Sequence, residues 1–437
     1  MPSVCFYFQV HQPFRVRPYT FFDIGVNHSY FNDETNKVIF EKVAEKCYLP
    51  ANKKMLELIK RHKNKFKISY SLSGTFIEQC ELYGPEVMNS FKKLAETGCV
   101  EFLSETYYHS LSFIFSKKEF ERQVKMHDDK IKEYFNQEPK IFRNTELIYN
   151  NDLAAWAEKA KYKGILCEGV DRLLGYRNAN FLYKPVGTKK IKALLKNYRL
   201  SDDVAFRFSD RGWSEFPLTA DKFANWVHQT AGNGEVINLF MDYETFGEHQ
   251  WASTGIFEFL DHLPKEILKH KDFTFKTPSE LVTENVMRGD YYAPDFTSWA
   301  DAERDLSAWR SNSMQEESLN RIYALESKVM QTKDKDIIHT WGKLQTSDHF
   351  YYMCTKFWND GDVHKYFSPY DSPYDAYIFF LNAISDFEQE LEKFLKKKPA
   401  TLKVVSSKIK KTSSEKEEET IKVKKIVSGK VAKKQKA

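Results

Sequence analysis

Acidic, imidazole and amide side chains stand at or just after several apolar segments, at the points where strands are predicted to end. These residues are His11 and Gln12, Glu101, His109, Glu146, Glu168, Asp242 and Glu244. An ionisable group is expensive to bury unless it is paired or used, so core packing explains the repetition of this strand-end position poorly. Carboxyl groups in one site can differ in pKa, so that one is an ionised nucleophile and another is a protonated acid.

Each of these residues also has an ordinary structural interpretation. His11 could be a core histidine bonded to a backbone carbonyl, and Glu101 could pair with a neighbouring Lys or Arg. Glu146 could cap the helix that follows it, and Asp242 could open the turn before Gly247. We favour a single shared site over these separate structural roles, because the same strand-end position recurs after several strands.

Two carboxylates, further acids and many aromatic residues fit the hydrolysis of glycosidic bonds. The chain has 35 Phe, 24 Tyr and 8 Trp, and aromatic faces stack on the C–H faces of pyranose rings, although a large core also explains much of this content. In a retaining reaction, one carboxylate attacks the anomeric carbon. The other protonates the leaving oxygen and then activates water.

Short β-forming segments alternate with amphipathic segments in the first 290 residues. The predicted strands are residues 4–10, 66–72, 99–103, 140–144, 164–167 and 236–241, and the predicted helices are residues 85–97, 117–135, 152–161 and 220–231. This alternation is typical of a parallel sheet built from βα units. When a sheet of this kind closes into a barrel, its catalytic residues lie at the carboxyl ends of the strands.

The strand patterns stop near Tyr291. Beyond that point the predicted helices are residues 301–331, 334–358 and 373–395. We therefore predict a catalytic unit at residues 1–290 and a helical domain at residues 291–395. Residues 396–437 have no aromatic residue and are rich in Lys, Ser and Glu, which predicts a disordered basic tail.

The net charge of +5 comes from this tail. Residues 396–437 hold 15 Lys and 4 Glu, a balance of +11, so the remaining residues carry −6. We therefore predict no nucleic-acid partner. The amino terminus has no signal-peptide pattern, and the six cysteines are scattered without a CxxC pair, so we expect a cytoplasmic protein with reduced thiols and no membrane partner.

On these residues the chain resembles glycoside hydrolase family 57, in its α-amylase-like branch. Five short motifs occur in the order of that family: His11-Gln12-Pro13; Gly98-Cys99-Val100-Glu101 with TYYHSL at 106–111; FRNTELIYNN around Glu146; Asp242-Tyr243-Glu244-Thr245-Phe246-Gly247; and SWADAERDLSAW at 298–309. They span residues 11 to about 315. The third motif departs most from the family, because many relatives have an aromatic residue two positions before the nucleophile.

The resemblance implies an α/β fold with an incomplete (β/α)7 barrel of the TIM type, followed by a helical domain that closes the cleft. It implies retaining hydrolysis of α-1,4-glucans or maltooligosaccharides, with Glu146 as nucleophile and Asp242 as general acid/base. It also implies a set of substrate-binding residues, which are His11, Gln12, Glu101, His109, Glu244, Trp299 and Asp301. No metal or other cofactor is required by this mechanism.

Three alternatives stay open at this point. A 4-α-glucanotransferase uses the same residues and differs in the access of water to the intermediate. A non-catalytic α-glucan-binding protein is a second alternative, although such chains typically lose one of the two carboxylates. A metal-dependent deacetylase or α-mannosidase is the third, but no Asp stands beside His11 and no HxxxH pair lies near the motifs.

Overall fold

The computed structural model describes residues 2–357 and 363–396 and shows an α/β protein. Its strands are β1 Ser3–Val10, β2 Ile68–Leu72, β3 Val100–Phe102, β4 Ile141–Arg143, β5 Gly164–Glu168, β6 Leu182–Pro185, β7 Lys192–Lys196, β8 Val236–Asp242, β9 Thr274–Phe275 and β10 Met287–Tyr291. All six predicted strands are confirmed, with small differences at their ends.

Helices follow most strands and cover their faces. They are α1 Asp33–Val43, α2 Leu49–Arg61, α3 Gly74–Tyr83, α4 Pro85–Ala95, α5 Ser112–Phe115, α6 Lys117–Phe135, α7 Asn151–Lys159, α8 Asp171–Leu174, α9 Tyr198–Ala205, α10 Ala220–His228, α11 Ile256–Leu268, α12 Pro278–Glu284, α13 Ser313–Ala324, α14 Glu326–Thr332, α15 Lys335–Lys343, α16 Ser347–Tyr351, α17 Val363–Phe367 and α18, residues 373–396. No described helix is long and apolar enough to cross a membrane.

The first sheet has β1 at its centre, in the order β3-β2-β1-β8, and every pair is parallel. All eight residues of β1 are buried, as expected for a parallel strand covered on both faces. The short β9 pairs with Ser3 and Val4 at the start of β1. At the other end of β1, Gln9 lies opposite Asp242, so the carboxyl ends of β1 and β8 meet.

The second sheet has the order β10-β6-β7-β5-β4, and only the β6–β7 pair is antiparallel. Backbone hydrogen bonds connect it to the first sheet on both sides. Arg143 N–H donates to the Ser104 carbonyl at 2.9 Å, just past β3, and Asn197 N–H donates to the Asn238 carbonyl in β8 at 2.9 Å. The carboxyl ends of both sheets therefore face one region.

Local sequence explains the best-predicted helix, α6. The Ser116 hydroxyl accepts a hydrogen bond from Glu119 N–H and caps its start, and Asn136 ends it with a left-handed φ of +53°. By contrast, the predicted helix over residues 301–331 begins only at Ser313 in the structure. Ser298 and Asp305 side chains bond to the backbone of the loop before it, which favours an irregular segment there.

Helices α13 to α16 and α18 pack around a second core that includes Trp309 and Trp341. This region touches the strand ends directly. Ser347 N–H donates to the His109 carbonyl at 2.9 Å, and Thr297 forms an isolated bridge with Tyr149. The loop around Trp299 and helix α16 therefore lie over the carboxyl ends of the strands. The predicted disordered tail lies outside the described residues from position 397 onward.

Candidate active site

Glu146 occupies a sharp turn directly after β4. Its φ is +56° and that of Leu147 is +50°, a left-handed conformation that costs a non-glycine residue about 1–2 kcal/mol. Leu147 N–H donates to the Asn144 carbonyl at 3.0 Å, and Trp299 N–H donates to the Glu146 carbonyl at 3.2 Å. Backbone strain that is held in place by surrounding bonds is typical of functional sites.

The Glu146 carboxylate accepts one hydrogen bond at each oxygen. His109 Nε2 lies 2.9 Å from Oε1, and Trp299 Nε1 donates to Oε2 at 2.6 Å. Burial is the largest influence on this group and favours the neutral acid. The His109 bond and charge, the Arg143 charge and the Trp299 bond outweigh it and hold the pKa of Glu146 below its usual range. Glu146 is therefore ionised at neutral pH.

His109 lies between two carboxylates. Its Nδ1 is 3.1 Å from Glu105 Oε2, and its Nε2 contacts Glu146. Burial is the largest influence and alone would lower the pKa of His109, but the two acidic partners raise it to about 9. Burial likewise opposes ionisation of Glu105, yet His109 and Arg143 lower the pKa of Glu105 to about 2. At neutral pH His109 is a cation that donates both N–H groups.

His11 stacks on His109, with ring centroids 4.0 Å apart and an interplanar angle of 19°. Burial first, and then the charge of His109, lower the pKa of His11. A neutral His11 donates from Nε2 to Asp348 Oδ2 at 2.9 Å and accepts at Nδ1 from the Ser73 hydroxyl at 2.7 Å. The pair is therefore one charged and one neutral imidazole with fixed orientations.

Asp242 is the last residue of β8 and faces the same cleft as Glu146. The pKa of Asp242 is raised to about 7, first by burial and second by repulsion from the Glu146 carboxylate. Gly247 ends the turn after it with a φ of +118°, and a Cβ there would lie 2.0 Å from the Lys46 carbonyl. Only glycine fits at that position of the Asp-x-Glu-x-Phe-Gly motif.

Glu244 stands two residues after Asp242, and its environment also favours the neutral acid. Burial raises the pKa of Glu244 to about 8, and the charge of Asp242 adds to the effect. The Tyr48 hydroxyl donates to Glu244, and Gln12 Nε2 donates to the Tyr48 oxygen at 3.1 Å. Gln12 therefore supports the position of Glu244 through Tyr48.

The two carboxylates open into one cleft of about 770 Å³, within the range of about 300–1,000 Å³ for ligand pockets. Trp299 forms part of its wall. The Arg143 guanidinium and the Lys196 ammonium each lie 5.3 Å from the indole ring, a cation–π geometry. These cations fix the indole whose N–H bonds to Glu146.

Asp301 also lines the cleft, with a left-handed φ of +53°. His364 Nε2 lies 3.1 and 3.2 Å from its two oxygens, and Lys356 Nζ lies 3.4 Å from Oδ2. The carboxylate therefore connects the Trp299 loop to helix α17.

The sequence model of the Glycosyl hydrolase family 57 matches residues 5–294, a range that contains the first four motifs and the site around Glu146 and Asp242. The chain belongs to glycosyl hydrolase family 57. As a member of that family it is a glycoside hydrolase, and its substrate is a carbohydrate.

One named relative agrees with the family assignment, and two solved structures share the fold. A Methanocaldococcus jannaschii protein named "Putative alpha-amylase" is 44% identical over 410 residues, which cover 90% of this chain and 86% of that protein. A family 57 branching enzyme of Thermococcus kodakaraensis has a similar structure, with a TM-score of 0.65, 14% identity and 93% of each chain covered. A 4-alpha-glucanotransferase of Thermococcus litoralis gives 0.59 at 16% identity, over 80% of this chain and 56% of the transferase.

The structure of this family 57 protein brings most of the predicted site residues together. The cleft is lined by His11, Gln12, His109, Glu146, Asp242, Glu244, Trp299 and Asp301. Glu168, the last residue of β5, does not line the cleft, and its carboxylate lies 3.6 Å from the Lys196 ammonium.

Glu101 is not among the cleft-lining residues. It lies within β3, and its carboxylate accepts hydrogen bonds from the backbone N–H of Ser279, at 2.9 Å, and from the Ser279 hydroxyl. Ser279 belongs to α12, which follows β9, and β9 pairs with the start of β1. Glu101 therefore points away from the carboxyl ends of the strands, and Glu105, past the end of β3, takes the place beside His109.

The sequence patterns assigned no role to several residues that contact the side chains of this candidate site. These residues are Tyr48, Glu105, Arg143, Lys196 and Asp348. Glu105 could have been found from the sequence, because it stands just past the carboxyl end of the strand that contains Glu101. Asp348 could not, because it lies 337 positions from its partner His11. Within residues 2–357 and 363–396, no group of three or more His, Cys, Asp or Glu side chains is arranged to hold a metal ion.

Proposed function

We propose that this glycoside hydrolase cleaves α-1,4-glucans with retention of configuration, with Glu146 as nucleophile and Asp242 as general acid/base. The observation that carries the proposal is the opposite shift of two carboxyl groups in one cleft. The pKa of Glu146 is lowered, chiefly by His109 acting against burial, while burial raises the pKa of Asp242 to about 7. A nucleophile must be ionised and an acid must keep its proton, so the two environments suit the two roles.

The reaction takes two steps. In the first, a Glu146 oxygen bonds to the anomeric carbon as the glycosidic bond breaks, and the Asp242 proton passes to the leaving oxygen. In the second, Asp242 removes a proton from water while the water oxygen replaces Glu146 at the anomeric carbon. Both carboxyl groups return to their starting states, and no cofactor takes part.

The surrounding residues support these steps. His109 and Trp299 hold Glu146 in its ionised form and fix its direction. Glu244 borders the cleft beside them and binds the sugar at the scissile bond, and Gln12 supports Glu244 through Tyr48. His11 borders the same sugar with its ring, because both of its nitrogens are already bonded. Asp301 acts through His364, because its oxygens are already bonded.

The bonds between the two sheets support a finer proposal for the fold. We infer that β1 to β5, β7 and β8 form one incomplete (β/α)7 barrel within residues 1–290, and that residues 291–395 form the domain that closes its cleft. The six buried, unpaired cysteines support a cytoplasmic location.

Product analysis on maltoheptaose tests the proposal. Purified protein is incubated with the sugar, chain lengths are read by chromatography, and the anomeric proton is followed by NMR over the first minutes. Short maltooligosaccharides released in the α form support a retaining amylase. Products longer than maltoheptaose indicate a 4-α-glucanotransferase instead. Initial β-anomers contradict retention, and unchanged sugar contradicts the proposed substrate or the catalytic role itself.

A further inference from the structure

Three exposed aromatic side chains line the cleft. Phe206, just after α9, is 63% exposed, and Tyr366 and Phe367 of α17 are 60% and 36% exposed. All three line the same cavity as Asp242 and Glu146. Exposed apolar surface that continues a ligand cleft commonly belongs to the binding site.

The rings on α17 are held in a fixed arrangement. His249 lies edge-on to Phe367, with centroids 5.4 Å apart, and 6.3 Å from Tyr366. Tyr366 and Phe367 contact each other edge-to-face at 5.0 Å. Burial lowers the pKa of His249 to about 4, so it is uncharged at neutral pH. The cluster therefore presents an uncharged aromatic surface.

A buried ionic contact connects this cluster to the Trp299 loop. His364, one turn of α17 before Phe367, bonds to Asp301, two residues after Trp299. His364 also stacks on Tyr351, another cleft residue, with centroids 4.2 Å apart. The position of the aromatic surface is thus coupled to that of the indole that bonds to Glu146.

We propose that Phe206, Tyr366 and Phe367 form a distal subsite that stacks on glucose units of the α-glucan beyond those at the scissile bond. The proposal rests on the proposed function, because it takes the same polymer as occupant. The rings are continuous with the reaction site, because they line the cavity that holds the two carboxylates. The subsite makes the protein prefer long maltooligosaccharides.

The first test compares substrates of different length. Phe206→Ala and Tyr366→Ala are assayed on maltotriose and maltoheptaose, and kcat/KM is measured for each. We expect a fall of about tenfold on maltoheptaose and a change of less than about twofold on maltotriose. Phe206→Trp is expected to restore the preference, which a purely structural defect would not allow.

Exposed aromatics away from the cleft provide matched controls. Phe22 is 86% exposed and Tyr176 is fully exposed, and neither lines the cavity. Phe22→Ala and Tyr176→Ala are expected to keep the wild-type ratio between the two substrates. Equal losses on both substrates, or no loss, in the Phe206 and Tyr366 variants would overturn the subsite.

A binding experiment separates this inference from the proposed reaction. Maltoheptaose is titrated by calorimetry into Glu146→Gln protein, with and without Phe206→Ala and Tyr366→Ala. Affinity about tenfold weaker in the aromatic variants supports the subsite even if the wild-type protein hydrolyses no glucan. Unchanged affinity, or no binding at all, overturns the subsite even if hydrolysis is observed.

Discussion

The surroundings of Glu146 and those of Asp242 differ, although both residues end or follow a strand of the same cleft. Glu146 receives two N–H donors and lies beside the cationic His109. Asp242 stands before the described turn Tyr243–Thr245 and caps no backbone N–H of it. Burial therefore raises the pKa of Asp242, whereas at Glu146 the neighbouring donors and charges outweigh it.

Hydrogen-bond donors and nearby charges, rather than the degree of burial, therefore distinguish the nucleophile from the acid. Both groups are partly buried, and burial is the largest influence on the pKa of each. The neighbours decide the sign: a cation and two hydrogen bonds favour the carboxylate, and a nearby carboxylate favours the acid. Removing one neighbour at a time should therefore bring the two groups closer together in pKa.

The largest effect is expected from Glu146→Gln. The amide keeps the shape of the side chain but cannot attack carbon, so kcat should fall by at least about a thousandfold on any α-glucan. Circular dichroism and maltoheptaose binding should stay near wild type. Glu101→Gln is the matched control, because Glu101 bonds to Ser279 away from the cleft. Its kcat should stay within about threefold, and a comparable loss there would contradict the placement of the nucleophile.

Asp242→Asn should have the next largest effect, and it should depend on the leaving group. A natural glucan needs a proton on its leaving oxygen, so kcat/KM should fall by about a hundredfold to ten-thousandfold. A 4-nitrophenyl α-maltooligosaccharide, whose leaving group needs little assistance, should lose much less in its first step. A burst of nitrophenol followed by slow turnover would show the intermediate. Equal losses on both substrates would contradict the role of acid.

Sequence patterns predicted the strand side of the cleft because the information there is local. An apolar β-forming segment that ends in His11 or Asp242 carries both the strand and the position of its polar residue. The helical side is different. Asp348 and His364 reach the site through contacts with residues far away in the chain, such as His11 and Asp301. No short motif encodes such contacts.

The prediction for Glu101 shows that a strand pattern alone does not identify which acidic residue of a motif reaches the cleft. Side chains alternate between the two faces, and Val100 and Phe102 both belong to the core cluster on one side of β3. Glu101 faces the other way but stands before the strand ends. Glu105, beyond the end, was the better candidate from the same motif, and only the course of the loop distinguishes the two.

His109→Gln should move both limbs of the pH profile. In the wild type, kcat/KM should fall above pH 7 as Asp242 loses its proton and at acid pH as Glu146 gains one. The His109 cation lowers the pKa of both groups, so removing it should raise both and shift the profile to higher pH. Activity at the optimum should fall by about a hundredfold. His262→Gln, at an exposed position, is the control, and an unshifted profile in the His109 variant would contradict the proposed cation.

Trp299→Phe should have the smallest effect and isolates one hydrogen bond. The ring stays between Arg143 and Lys196, but the N–H that donates to Glu146 Oε2 at 2.6 Å is lost. A hydrogen bond to a charged group contributes about 1.5–3 kcal/mol, so kcat should fall by between about tenfold and a hundredfold. The acid limb should move to higher pH while the basic limb stays, because Trp299 acts on Glu146 and not on Asp242. Trp251→Phe, at a residue 62% exposed, controls for loss of an indole. Movement of the basic limb alone would mean that the indole acts on Asp242, and it would contradict the difference proposed between the two carboxyl groups.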